Sequence, residues 1–267
     1  MTAPPSRDDA TPALECRQVE RRFGGLVALT GVDLQVRRGE IFGLVGPNGS
    51  GKTTLTNAIT GFYPPQKGSI TLAGRDITGM APHAVARLGV ARTFQNLALF
   101  NGMTVLDNIL LGRHVHMKPG VLRTALYPWL ARPDEIAHRR VVEDTIDFMQ
   151  LQGVRDELVD TIPIGLKKRV ELARALVAEP SFLILDEPMA GMNQEEKEYM
   201  ARFVLDARDE RGVTVLLIEH HMDIITGICD RMLVLSYGEM IDTGVPREVV
   251  KNPRVIEAYL GGARAQA

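Results

Sequence analysis

The chain has 267 residues, 45% of them hydrophobic and 24% charged, with a formal net charge of −2. That length buries a large core, and that composition is ordinary for a soluble globular protein. The charge balance and the lack of a basic tail argue against nucleic acid as a partner, and no apolar run approaches the ~20 residues needed to cross a bilayer. Residues 1–12 carry no apolar signal core and read as a flexible cytoplasmic tail. Cys16 and Cys229 stand alone, without metal or redox spacing, so both read as buried or half-buried free thiols in a reducing compartment.

In chain order, residues 14–19, 32–36 and 41–45 read as short strands, separated by turns at Gly24-Gly25 and Arg38-Gly39-Glu40. The stretch Gly46-Pro-Asn48-Gly49-Ser50-Gly51-Lys52-Thr53-Thr54 follows the third strand and runs into a helix from Thr54. Glycines at 46, 49 and 51 remove side-chain bulk, so successive backbone N–H groups can turn inward around an anion at the positive end of that helix. Lys52 supplies a full charge for terminal phosphates, and the Thr53 hydroxyl is placed to ligate Mg²⁺. This pattern predicts a site for a nucleoside triphosphate.

Residues 69–72 and 90–93 read as further strands, with a short helix at 82–88 closed by Gly89. From about 101 to 177 the strand signal vanishes. Thr104 caps a helix at 105–111, an irregular excursion spans 112–133, and Val142, Ile146 and Met149 recur at helical spacing after Asp134. A helical subdomain is thus expected inside an α/β core. Strands return at 182–185, 213–218 and 231–235, with a helix at 194–211 between the first two. Alternating strand and helix implies a mostly parallel sheet, with ligand loops at the strands' C-terminal ends.

The strand Phe182-Leu-Ile-Leu185 ends in Asp186-Glu187. Asp186 can hold Mg²⁺, directly or through water, and Glu187 can accept a proton from a water attacking the terminal phosphate. Gln95, after a predicted strand, can reach Mg²⁺ or that water. His220 and His221 follow the strand at 213–218, and by composition alone either imidazole can donate to the terminal phosphate. Phe23, before Gly24-Gly25, either stacks on a purine ring or belongs to the core.

Taken together, Phe23, residues 46–54, Gln95, Gly165 with the helix after it, Asp186-Glu187 and His220 resemble the ATP-binding subunit of an ABC transporter, over about 14–260. The resemblance implies a P-loop NTPase core with a mostly parallel sheet, an antiparallel β subdomain and an inserted helical subdomain. It implies one ATP-binding domain at 13–262, with its core at about 13–95 and 180–262, the helical subdomain at about 96–179, and a short tail at 263–267. Its adenine-stacking aromatic falls on Phe23, its Walker A loop on 46–54, its Q-loop on Gln95, its signature on Gly165, its Walker B pair on Asp186 and Glu187 and its switch histidine on His220. Nucleotide contacts are implied for Phe23, Ala28, Asn48, Gly49, Ser50, Gly51, Lys52, Thr53, Thr54 and Gly165; Mg²⁺ contacts for Thr53, Gln95 and Asp186; catalysis for Glu187, His220 and Gln95. Finer features resemble the branched-chain amino-acid importer subgroup. They are Arg92-Thr-Phe-Gln95-Asn96, Met103-Thr-Val-Leu-Asp107, the excursion at 112–133, Ile218-Glu-His-His-Met222 and Ala258-Tyr-Leu-Gly261.

The expected function is ATP hydrolysis powering import of branched-chain amino acids or small polar solutes such as amides or urea. An exporter subunit or a soluble non-transport ATPase is the alternative. The expected setting is peripheral, on the cytoplasmic face of the plasma membrane, with a second ATPase subunit arranged head to tail, two transmembrane permeases and, indirectly, a solute-binding protein. One departure stands out. Where the family usually reads Leu-Ser-Gly-Gly-Gln, this chain reads Ile162-Pro163-Ile164-Gly165-Leu166, so the serine hydroxyl and the glutamine are gone. The partner is therefore expected to be a different ATPase chain, giving one normal and one weakened site. Asn193 replaces an aspartate common in relatives.

Overall fold

A computed structural model describes residues 11–93, 98–116 and 132–264, with the backbone alone at 115–116, 132–136 and 260–264. Gln95 and most of the excursion at 112–133 lie outside the described residues. The chain divides into two compact units, Met1–Val90 with Ser181–Glu187 and Val204–Ala267, and Ala91–Pro180 with Pro188–Phe203.

In the first unit, β1 (Leu14–Phe23) and β2 (Leu26–Val36) pair antiparallel across Gly24-Gly25. β4 (Lys67–Leu72) pairs antiparallel with β1 and with β5 (Arg75–Asp76), closing a four-stranded sheet in the order β2-β1-β4-β5. The second sheet is built from β3 (Ile41–Val45), β6 (Val90–Arg92), β7 (Phe182–Asp186), β8 (Thr214–Ile218), β9 (Arg231–Ser236) and β10 (Glu239–Gly244). Its order is β10-β9-β3-β8-β7-β6. β3 lies parallel between β8 and β9, β7 is parallel to β8, and β10 turns back antiparallel on β9.

Every position of β3, β7 and β8 is buried, which is why these strands read as unbroken apolar runs rather than as alternating patterns. The register sets Leu44 and Asp186 on either side of Ile218, so the loops leaving β3, β7 and β8 emerge side by side. α1 (Lys52–Ile59) follows β3 and buries Leu55, Ala58 and Ile59 in one core with Leu14, Phe42, Leu216 and Leu233. The unit also holds α2 (Pro82–Arg87), α7 (Met222–Ile228), α8 (Pro246–Val249) and α9 (Pro253–Arg264). Cys16 and Cys229 are buried free thiols.

The second unit is helical. α3 (Val105–Gly112) opens with a capping box: Thr104 accepts from the Asp107 N–H at 3.1 Å, while the Asp107 carboxylate reaches back to the Thr104 N–H. Asn108, fully buried, accepts from the Phe100 N–H at 2.8 Å and donates to Thr104 O at 3.0 Å, so no polar atom of its amide is stranded in the core. α4 (Arg132–Phe148) contributes Val142 and Ile146. α5 (Ile164–Leu176) starts directly after Pro163 and so includes Gly165, which the sequence places ahead of the helix, because an extended proline can serve as N-cap. α6 (Gln194–Arg211) begins in this unit and ends in the first. Among the described residues no helix is long and apolar enough to cross a membrane.

Candidate functional site

β3 delivers a loop that only glycine can follow at its critical points. Gly46 has φ 150°, and a Cβ there would overlap the Leu235 carbonyl of β9 and approach Ser50 Oγ at 2.7 Å. Gly51, at φ 106°, caps α1, and a Cβ would stand 2.7 Å from Ala28 O. Asn48 and Gly49 are exposed at the crest, and the Ser50 N–H folds back to Pro47 O at 3.2 Å. The unpaired first-turn N–H groups of α1 therefore border the same hollow, which suits an anion.

Two backbone bonds brace this loop from the β9–β10 turn. The Gly238 N–H donates to Ser50 O at 2.9 Å, and the Thr30 N–H of β2 donates to Gly238 O at 2.8 Å. Ala28 packs its carbonyl on both Gly51 and Gly238, so this predicted contact residue supports the loop through its backbone.

The Lys52 ammonium lies folded onto the loop's own carbonyls, donating to Gly46 O at 2.7 Å and Pro47 O at 3.0 Å. Burial holds its pKa below the ordinary lysine range, and the nearby charges of Glu187 and Asp186 pull the other way. Thr53 is exposed and Thr54 half-buried in the first turn of α1.

Asp186 ends β7 at 5% exposure. Glu187 next to it sits at φ 50°, left-handed for a residue with a Cβ, and its N–H is held by Ile218 O at 3.0 Å. Strain of this kind persists where the surroundings over-determine it, often at functional positions. His220 Nδ1 stands 3.7 Å from Glu187 Oε1, too far for a hydrogen bond but close enough for a modest rotation to make one. His221 Nδ1 instead faces Oε2 of the fully buried Glu219 at 3.3 Å, with the two imidazole rings 4.4 Å apart. The two histidines, interchangeable in composition, thus have different acidic neighbours. Glu219, silent in the sequence reading, is the residue that separates them.

Phe23 ends β1 at 37% exposure. The Arg21 guanidinium lies 4.8 Å over its ring, and Tyr63 meets it edge-on at 5.3 Å. Arg21 is itself fixed by donation to Pro64 O at 2.7 Å. Neither Arg21 nor Tyr63 stands out in the sequence, since nothing local marks contacts across 40 residues.

In the second unit, Gly165 opens α5 with no side-chain cap from Pro163. A Cβ at 165 would overlap the Glu196 carboxylate. Glu196 in turn accepts from the Asn193 N–H at 2.9 Å, while its own N–H donates to Asn193 Oδ1 at 2.9 Å. Asn193 is therefore half of a reciprocal cap at the start of α6, a task an amide oxygen performs as well as a carboxylate.

A strand-loop-helix anion cradle with a lysine, beside two strand-end carboxylates, is the machinery of a nucleoside-triphosphatase. Comparison with known proteins agrees. The family described as ABC transporter matches residues 29–190, and the branched-chain amino acid ATP-binding cassette transporter family matches residues 243–265. The chain is 38% identical over 252 residues to the high-affinity branched-chain amino acid transport ATP-binding protein BraF of Pseudomonas aeruginosa, covering 94% of this chain and 99% of that protein. It is 39% identical over 259 residues to the corresponding protein LivG of Salmonella typhimurium, covering 94% and 99%. Among solved structures it is similar to a nucleotide-free ATP-binding cassette from an ABC transporter, with TM-score 0.82 and 31% identity over 93% of this chain and 98% of that one. An ATP-binding cassette in its ADP conformation is equally similar, with TM-score 0.82 and 31% identity over 94% and 99%. The chain belongs to the ABC transporter family, as one of its ATP-binding ATPase subunits.

Proposed function

We propose that this chain is the ATP-hydrolysing subunit that powers an importer of branched-chain amino acids, working as a peripheral protein on the cytoplasmic face of the membrane with two permease subunits. The observation that carries the hydrolytic part is the convergence of Lys52, Asp186, Glu187 and His220 at the ends of β3, β7 and β8. The transport part rests on the relatives, whose names specify branched-chain amino acid transport.

In this reading the amides of residues 49–51 and the start of α1 hold the phosphates. Lys52 leaves Gly46 O and Pro47 O to meet the terminal phosphates, trading two neutral acceptors for charged ones. The exposed Thr53 hydroxyl and the Asp186 carboxylate form an oxygen donor set suited to a hard dication, so Mg²⁺ fits here. Bound there, it neutralises charge on the phosphates during cleavage. Glu187 takes the proton of the attacking water, and His220, turned toward Glu187, orients that carboxylate or the phosphate. For Gln95, which lies outside the described residues, the resemblance implies a role toward Mg²⁺ or the attacking water. Phe23, steadied by Arg21 and Tyr63, offers a ring face to the adenine.

A second ATPase subunit contributes its signature to this chain's ATP, while Gly165 and α5 serve the partner's nucleotide. Because Pro163 supplies no hydroxyl, the partner is a different chain and the two ATP sites are unequal. A solute-binding protein feeds the permeases from the far side.

Uptake of radiolabelled leucine in cells carrying Glu187→Gln in place of the wild-type chain tests the whole reading. Loss of leucine uptake is expected. Unchanged leucine uptake with loss of another solute would move the cargo elsewhere, and unchanged uptake of every solute would remove the transport role.

A further inference from the structure

Gly46 is the pivot of the phosphate loop, and a contact from the far end of the chain reaches it. α9 packs on β10 and buries Val255, 2% exposed, and one turn later the same face presents Tyr259. The Tyr259 hydroxyl oxygen is buried, and the Gly46 N–H faces it without closing a hydrogen bond of normal geometry. Close to Gly46 lies a second hydroxyl, Ser50 Oγ, also buried and also without a hydrogen-bond partner. Among the described residues these are the two buried side-chain oxygens left unpaired, and both lie beside one glycine.

A buried hydroxyl left unpaired is destabilising, so two beside one residue call for an explanation. Lys52 supplies it. In this structure its ammonium is spent on Gly46 O and Pro47 O, which fixes the Gly46–Pro47 peptide and, through the Gly46 Cα, limits the one before it. When the ammonium moves to a phosphate, that carbonyl is released, and the two peptide groups joined at the Gly46 Cα can readjust about it, because no Cβ hinders the turn. A small tilt of the Val45–Gly46 peptide then brings the Gly46 N–H onto Tyr259 Oη. Burial raises the Tyr259 phenol to about 12, with the Gly46 N–H acting in the opposite direction, so the group stays a neutral hydroxyl throughout the physiological range.

We propose that Tyr259 is a positioning residue for ATP hydrolysis: from the C-terminal helix its hydroxyl takes hold of the Gly46 N–H as Lys52 leaves the Gly46 carbonyl, keeping the phosphate loop in shape around the nucleotide. This gives the segment at 243–265 a task at the nucleotide site. It rests on the reading that the loop binds triphosphate.

The test is Tyr259→Phe in the full-length chain, which removes one oxygen and keeps the ring. The expected result is a three- to tenfold rise in the Kd and KM for Mg-ATP, with kcat falling less than KM rises and the melting temperature unchanged or slightly higher. Val255→Ala, which loosens the same helix face without touching the hydroxyl, is the control. It should lower the melting temperature and leave Kd alone. Equal ATP binding by Tyr259→Phe and wild type overturns the inference, as does an equal loss of affinity in Val255→Ala, which would trace the effect to helix docking. If Tyr259→Phe does not fold, fluorotyrosine-labelled wild type decides. The chain has five tyrosines, and a buried one of their ¹⁹F resonances should shift on adding Mg-ATP but not adenosine. No such shift overturns the inference. Failure of the wild type itself to bind ATP sinks the triphosphate reading instead, and the two failures are therefore distinct.

Discussion

Glu187 shows how much chemistry one residue can hold in its backbone. Its left-handed φ is enforced by the Ile218 carbonyl, which aims the carboxylate at the region of Lys52 and His220. If it is the general base, Glu187→Gln should still bind ATP yet turn over at least ~100-fold more slowly in a phosphate-release assay. Turnover near the wild-type rate would refute the role. Lys52 gives a pH dependence with a definite sign. Its folded pKa is depressed by burial, and a bound triphosphate favours the charged form. Binding should therefore take up protons in the alkaline range, and ATP affinity should fall as pH rises through the depressed pKa. Calorimetry in buffers of different ionisation enthalpy measures that uptake, and Lys52→Arg, charged at any working pH, should abolish it. At this scale the sequence was informative wherever motif and chemistry coincide, as at Lys52, Asp186 and Glu187. It was uninformative where a partner lies far along the chain, which is why Arg21 and Tyr63 escaped notice, and Glu219 escaped because nothing in the sequence says which histidine turns toward it. His220 and His221 stay equal in sequence, because neighbouring identical side chains differ only in where they point; the coordinates give them different acidic neighbours.

Elements were legible in proportion to their burial. β3, β7 and β8, buried at every position, announced themselves as apolar runs. β1 extends four residues past the expected end at Val19, through Glu20-Arg21-Arg22-Phe23, because a strand at a sheet surface tolerates charge. β10, β5, α7 and α9 went unread: each is short or largely solvent-facing, and its place is set by the neighbour it packs on. Thr104 shows the opposite case, a local signal that suffices. Its capping box with Asp107 satisfies donors that the start of α3 would otherwise leave open. Thr104→Ala should cost about 1 kcal/mol and lower the thermal midpoint by about 2–4 °C. An unchanged midpoint would mean that the cap is redundant with the packing of Val105 and Ile109.

At the scale of the molecule, fold class and family were readable because the phosphate loop and the paired carboxylates occupy fixed places in one topology. The two-unit division was harder, since α6 starts in one unit and finishes in the other. In the proposed reading, the missing hydroxyl at Pro163 has a consequence for assembly. A hydrogen bond to a charged phosphate is worth about 1.5–3 kcal/mol, so Pro163→Ser should raise the ATPase rate of the isolated chain by roughly tenfold or more. No increase would show that the loss at position 163 is not what limits self-pairing. Finally, the bonds from Gly238 to Ser50 and from Thr30 to Gly238, made by the two peptide groups on either side of the Gly238 Cα, tie the phosphate loop to the four-stranded antiparallel sheet. Events at the loop are thereby written into β2, where deuterium uptake at the Thr30 amide should slow when nucleotide stiffens the first link, giving an isotopic gauge of occupancy at a distance from the bound phosphate.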